Sequence, residues 1–325
     1  MKEIIITKTN HGQKADKFLR KYLSDAPLSF IYKLFRIKDV KVNGKRINKE
    51  YILQENDLVQ IYVTDKQLEE FSKPRLVVKT NVNLDIIYED ENIIIINKPS
   101  GLLVHGDINE KRITLTNIVL NYLKEKNEFD ESNHTFIPSP CHRLDRNTSG
   151  LIVFAKNIES LHILEELFKV KENIKKNYIA LVDGLLYGKN KIDAPLYKDE
   201  ERKMVFVRNI NNGGKTALTL YEVKENFENC TLLNVDLITG RTHQIRVHMA
   251  HIGHPIIGDG KYGNINVNRK FEEKYRYHHQ FLHAEKLTFI NVEGILSYLS
   301  NKSFVASLPE KESNIIKMIR ENKKL

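Results

Sequence analysis

Two cysteines, at 141 and 230, are too few and too far apart for a disulfide framework, and they lack the paired spacing of a zinc site. They are read as ordinary thiols. No apolar run approaches the ~20 residues that cross a bilayer. The opening "MKEIIITKTNHGQ" has a short strand-like stretch but neither the apolar core nor the small-residue cleavage site of a signal peptide. A cytoplasmic chain without membrane association is expected. No Gly-rich phosphate loop of the P-loop or dinucleotide kind occurs, nor any repeat or low-complexity run. That absence favours chemistry without a cofactor.

What is present in excess is positive charge, a net +9 with a pI near 9.2. Residues 1–65 hold 13 Lys/Arg and 8 Asp/Glu, so +5 of the +9 lies in the first fifth of the chain. The excess suits a polyanionic partner, although a solvated basic face gives the same count. At 325 residues, 41% hydrophobic and 29% charged, the chain is long enough for one medium domain with a smaller companion.

The smaller companion is expected at 1–63. In "KADKFLRKYL" Ala15, Phe18, Leu19 and Tyr22 recur at helical spacing, and in "SFIYKLFRIKDV" so do Phe30, Ile31, Leu34 and Phe35. "VKVNGKRIN" then reads as strand, Asn-Gly turn, strand, and "LQENDLVQIYV" as a turn and closing strand. Lys33, Arg36, Lys38, Lys41, Lys45 and Arg46 sit on or beside the second helix and the hairpin, a plausible platform for an RNA backbone. The unit resembles the small RNA-binding module named after a ribosomal small-subunit protein, the S-four type, and the resemblance runs from Lys14 to Val63.

Residues 64–83 carry a proline, many charges and no clear periodicity, and are read as a linker. From 84 to 325 strands outnumber helices. "LDIIYEDENIIIINKP" is two strands around an acidic turn, "LIVFA" a buried strand and "ESLHILEELFK" a helix. "NYIALVDG", "TALTLYEV" and "CTLLNVDLI" are further strands. Short turns between strands favour an α+β domain with a mixed, largely antiparallel sheet over a doubly wound fold.

Three stretches hold candidate chemistry. In "HRLDRNTSGLIVFAK" Asp145 lies between Arg143 and Arg146 in a turn ahead of the buried strand, where a carboxylate suits an ion-pair clip, a metal ligand or a nucleophile. In "KKNYIALVDG" Tyr178 starts a strand and faces either the core or a cleft. In "GRTHQIRVHMAHIGHPIIGDGKYG" a helix of about three turns is expected over 243–252, capped by Thr242 and closed by Gly253 and Pro255. Ile245, Met249 and Ile252 form one face of it; His243, Arg246 and Ala250 form the next. His248 and His251, with His243 and His254 nearby, raise a metal reading. No Cys or HExxH pattern supports it, and surface or capping roles suit these histidines equally.

Taken together, "NKPSGLLVH", "HRLDRNTSGLIVFAK", "KNYIALVDG" and "GRTHQIRVHMAHIGHPIIGD" resemble, in order, the motif series of the RluA family of RNA pseudouridine synthases. "GGKTALTLYEV", "FLHAEKLTF" and the N-terminal module make the chain most similar to the RluC-type members that act on large-subunit rRNA. The resemblance spans Lys14 to about Phe289. It implies a pseudouridine-synthase fold at 84–325 and site-specific isomerisation of uridine in 23S rRNA. Asp145 is then the catalytic aspartate, Tyr178 the active-site tyrosine and Arg246 the partner of the aspartate. His142, Arg143, Arg241 and His243 are substrate-binding, Arg143 at a position tied to base flipping. Asn147 stands where an Asp often follows the second Arg. No cofactor or metal is implied, the partner is RNA, and a monomer is expected.

The chemistry accounts for these residue types. Breaking the N1–C1′ bond develops oxocarbenium character that a carboxylate can stabilise or attack. A sugar adduct, addition to uracil and a glycal route remain open, and all need the carboxylate ionised. An arginine within ~4–6 Å lowers a carboxylate pKa by about 1–3 units. The rivals are a non-catalytic RNA-binding or ribosome-assembly protein, which would have lost such residues, and a metal-dependent hydrolase using the histidines.

Overall fold

Apolar residues of the first 63 positions collapse onto a core of their own. The computed structural model describes residues 1–7, 10–72, 80, 82–106, 113–130, 136–170 and 172–322. Its first elements are β1 (Lys2–Ile5), α1 (Ala15–Tyr22), α2 (Leu28–Arg36), β2 (Val40–Val42), β3 (Lys45–Arg46) and β4 (Leu58–Ile61). They form a sheet of order β1-β4-β2-β3, all antiparallel. Phe18, Leu19, Ile31 and Leu34 are buried against Val40, Val59 and Ile61. The hairpin turns through Asn43 and Gly44 with φ of 51° and 78°, the paired positive values that an Asn-Gly turn supplies.

The expected linker holds a helix. α3 (Asp65–Phe71) starts at a capping box in which Thr64 and Gln67 satisfy each other's backbone amides. Leu68 and Phe71 pack on the first core, and the Phe71 ring lies 4.9 Å from that of Phe30. The first packing unit therefore extends to Phe71. The signal is the T-x-x-Q spacing, which the charge of "TDKQLEEF" obscures. The rest of the expected linker, at 73–79 and 81, lies outside the described residues.

The larger part runs β5 (Ile86–Glu89), β6 (Ile93–Lys98), α4 (Leu115–Glu125), β7 (Ser139–Pro140), β8 (Ser149–Ala155), α5 (Ile158–Lys169) and β9 (Ile174–Asp183). It continues with β10 (Lys189–Asp193), β11 (Leu196–Asp199), β12 (Met204–Val207), β13 (Leu218–Asn226) and β14 (Cys230–Leu237). It closes with α6 (Gln244–His251), α7 (Ile265–Tyr275), β15 (Leu282–Phe289), β16 (Ser303–Val305) and α8 (Glu310–Asn322). Ten strands form one sheet of order β10-β13-β14-β9-β15-β8-β6-β5, with β16 on β15 and β7 on β8; β11 and β12 pair separately. Of the described strand pairs only β15 with β8 is parallel, so the sheet is mixed and largely antiparallel, as the pattern predicts.

The parallel seam lies at the centre of the sheet. β8 is buried at every residue, which its unbroken "SGLIVFA" requires of a central strand. Gly150 has φ +110°, and a Cβ there would lie 2.3 Å from the Ala284 carbonyl oxygen on β15. Only glycine lets the two backbones approach this closely. α5 covers one side with Leu164 and Leu167, while β9, β14 and β15 enclose the main core with Ile245 and Met249 from α6.

Candidate active site

The turn before β8 carries Asp145. Leu144 is buried in the main core, and the Thr148 amide donates to the Asp145 carbonyl at 3.1 Å, closing the turn. Thr148 is held in turn by Gln280 at 3.2 Å, and Ser149 by His283 at 2.9 Å, both from the segment leading into and along β15. A rigid seam thus fixes a short loop whose carboxylate keeps 20% of its side-chain surface exposed.

α6 brings the opposing charge. The helix is Gln244–His251, shorter than the expected 243–252, and its cap is His243 in the left-handed region (φ 54°, ψ 20°), not Thr242. The cause lies in Gln244. Its buried amide oxygen accepts from the Arg241 amide and the Thr239 hydroxyl, and its nitrogen donates to the Leu218 carbonyl and Thr219 hydroxyl. These bonds draw the chain into a tight turn before the helix begins.

One turn on, Arg246 donates through Nη1 to Asp145 Oδ2 at 2.8 Å. Its Nε and Nη2 donate to the two oxygens of Asp259 at 2.7 and 2.9 Å. Asp259 is fully buried and also accepts from the amides of Lys261 and Tyr262. Burial opposes its charge, but the Arg246 hydrogen bonds prevail and hold its carboxyl below the usual range. The guanidinium is therefore fixed by one carboxylate and offered to the other.

Asp145, Arg246, Tyr178, Arg143, Arg241 and His243 all line one open cavity, with Leu144, Leu237 and Leu282 as apolar walls. Tyr178 is buried on β9; burial first, and the Asp145 charge second, push its phenol well above the ordinary value. Arg143 and Arg241 are exposed, and Arg241 Nε is tethered to the Thr216 carbonyl at 3.0 Å. His243 Nε2 lies 3.9 Å from Asp145 Oδ2. Behind the loop, fully buried Lys98 donates to the carbonyls of Pro99, Leu102 and Arg146 at 2.8 to 3.0 Å. Burial lowers its ammonium to about 7, against the opposing pull of Asp145.

His142 departs from the substrate-binding reading. Its Nε2 accepts the Val153 amide at 3.1 Å and its ring packs 4.4 Å from Phe168, away from the cavity. Burial holds the imidazole neutral, down to about 3. The residue satisfies a backbone donor of β8. The histidines of the third stretch disperse likewise: His248 bridges Thr219 and the Ala194 carbonyl, and His254 bonds the Asp183 carbonyl. Among the described residues no three His, Cys, Asp or Glu converge as a metal site. No described helix is long and apolar enough to cross a membrane.

Residues 92–251 match the family described as RNA pseudouridylate synthase. The chain is 39% identical to the ribosomal large subunit pseudouridine synthase C of Vibrio parahaemolyticus, over 86% of this chain and 85% of that one. The chain belongs to the RNA pseudouridylate synthase family. It is an RNA pseudouridine synthase, an isomerase, and its other relatives agree. The Haemophilus influenzae ribosomal large subunit pseudouridine synthase C is 35% identical across 99% of this chain and 96% of its own. Among solved structures, human RNA pseudouridylate synthase domain containing 4 superposes with a TM-score of 0.56 at 26% identity, covering 72% of this synthase and 92% of the human chain.

Sequence reasoning misses Asp259, Gln244, Tyr262 and Lys98. Asp259 stands in plain view in "IIGDGKYG", but nothing local says that its carboxylate turns inward to meet an arginine thirteen residues earlier. Lys98 is hidden by its type, since a lysine is almost never expected in a core.

Proposed function

We propose that this synthase converts uridine to pseudouridine in large-subunit ribosomal RNA, with Asp145 as the reacting carboxylate and the target base flipped into the cavity. The observation that carries the reading is the Asp145–Arg246–Asp259 array at the cavity, where a partly exposed carboxylate faces a guanidinium that cannot turn away. The names of the curated relatives support the RNA class.

The reaction breaks N1–C1′, rotates the uracil, forms C5–C1′, releases the C5 proton and returns a proton to N1. Its balance needs no oxidant. Asp145, held by the Arg246 guanidinium at 2.8 Å, stabilises or traps charge at C1′, or takes the 2′ proton. Tyr178 stays a phenol, which suits it to pack against the base; the C5 proton then passes to Asp145. Unstacking the uridine costs a few kcal/mol, and exposed Arg143 at the mouth fills the vacated stack. Residues 1–71 act as an S-four-type RNA-binding module ahead of the catalytic domain at 84–325. Its exposed Lys33, Arg36, Lys38, Lys45 and Arg46 contact phosphates. Lys41 pairs with Arg46 across the hairpin and donates to Tyr62.

Pseudouridine mapping of large-subunit rRNA from a strain lacking this chain tests the reading. The expected result is the loss of one or more sites, restored by the native chain and not by Asp145→Asn. An unchanged map would overturn the rRNA assignment.

A further inference from the structure

His243 and Tyr262 form a hydrogen-bonded pair whose protons can be placed. The Tyr262 hydroxyl oxygen accepts the Val205 amide of β12 at 3.0 Å and lies 2.8 Å from His243 Nδ1. The phenol has one proton to give, and of the two partners of its oxygen among the described residues the Val205 amide can only donate, so His243 Nδ1 is the acceptor that receives the proton. A neutral imidazole that accepts at Nδ1 carries its own proton on Nε2. Burial disfavours the imidazolium; Arg246 and Lys261 oppose it as well, while Asp145 and Asp259 favour it, and the balance is downward.

The Nε2–H faces the cavity, 3.9 Å from Asp145 Oδ2. That is beyond hydrogen-bond reach, so this proton is available to a bound group. Tyr262 is itself braced: Val205 holds its oxygen, the Arg246 guanidinium sits 5.2 Å from its ring centroid, and neighbouring Lys261 Nζ donates to the Lys203 carbonyl of the β11–β12 turn. His243 is braced from the backbone by its left-handed cap position.

We propose that His243 donates its Nε2–H to a carbonyl oxygen of the detached uracil, and that Tyr262 is the positioning residue that fixes this tautomer. The proposal rests on the reading of the cavity as the uridine site. When N1–C1′ breaks, the leaving uracil holds negative charge shared between N1 and its carbonyl oxygens. A pre-aimed neutral donor stabilises that charge without itself transferring a proton. No bond of His243 is made or broken.

The test combines a spectroscopic and a kinetic arm. In the ¹⁵N-labelled full chain, with the His243 signals assigned by their loss in His243→Gln, Nε2 should be protonated and Nδ1 bare. A protonated Nδ1 would overturn the proposal without requiring any variant to be active. In single-turnover pseudouridine formation, His243→Ala should slow the reaction roughly 100-fold, the cost of one such donor. His243→Gln, whose amide reaches the Nε2 position, should recover most of the rate, and His243→Asn, which reaches only Nδ1, should not. Tyr262→Phe should lower the rate about tenfold, the worth of one hydrogen bond, and mix the tautomers. Gln no better than Ala, or Phe at the native rate, would sink the proposal. Should Asp145→Asn remain active, it is the reading of the site that fails, whatever the tautomer.

Discussion

Arg246 and Asp145 lie 101 residues apart in the chain and 2.8 Å apart in space. The pair forms because β14 delivers α6 to the face on which the seam of β8 and β15 exposes its loop. Asp259 completes it by taking the other two nitrogens. Lysine cannot reproduce that planar three-point geometry. Arg246→Lys should therefore lower the single-turnover rate by roughly two orders of magnitude. Arg246→Met should in addition lower unfolding free energy by about 3–5 kcal/mol, because Asp259 stays buried without its partner. Urea titration and rate measurements on both variants check this; a Lys variant at the native rate would show that the fork is dispensable.

Gly150 has a positive φ and the Ala284 backbone directly opposite. Gly150→Ala should cost about 1–3 kcal/mol from the backbone conformation alone, and more from the clash. The Asp145 loop, upstream on the same chain, should shift with it. Thermal unfolding and activity should fall together, and a fully stable, fully active variant would contradict the close approach of β8 and β15.

Much of the fold is legible in the sequence, for reasons particular residues make plain. "SGLIVFA" and "NYIALVDG" are apolar over lengths that only central strands accommodate, and "VNGK" fixes its own hairpin. Asp145, Tyr178 and Arg246 can be named because they stand within motifs. Asp259, Gln244 and Tyr262 cannot, since their roles depend on which side chains the tertiary fold brings near. α3 escapes a reading by periodicity although Thr64 begins a capping box. His142 misleads because its neighbours Arg143 and Asp145 line the cavity, while its own ring is turned to the Val153 amide and Phe168.

The burial of His142 has a pH consequence. Burial, with the Lys176 charge behind it, pushes the His142 imidazole down to about 3 in the folded chain, against about 6.5 unfolded. Between those values the unfolded state binds more protons, so stability rises with pH. The contribution is complete above about 6.5 and is lost as pH falls toward 3, by at most about 1.4 kcal/mol per unit. His142→Phe keeps a ring beside Phe168 but removes the titrating group. The drop in urea midpoint from about pH 7.5 to about pH 5, a window spanning the unfolded value, should be smaller in the variant. His248 and His283, also lowered by burial, leave a residual slope. Identical drops would place His142 in solvent.

The basic module carries a prediction about salt. Replacing Lys33, Arg36 and Arg46 together by Ala removes three exposed charges from α2 and the hairpin. If each meets a phosphate, RNA binding should weaken. The slope of log affinity on log salt should also flatten by about 2, at roughly 0.7 per single-stranded contact. Filter binding across a salt series measures both, and an unchanged slope would remove the module from the RNA interface.

The central claim is that Asp145 carries the chemistry. Single-turnover conversion of a large-subunit rRNA transcript by Asp145→Asn, with RNA affinity measured in parallel, tests it most directly. The amide keeps the shape of the carboxylate and removes its charge. Conversion should fall below detection while the RNA still binds; conversion at the native rate would contradict the assignment.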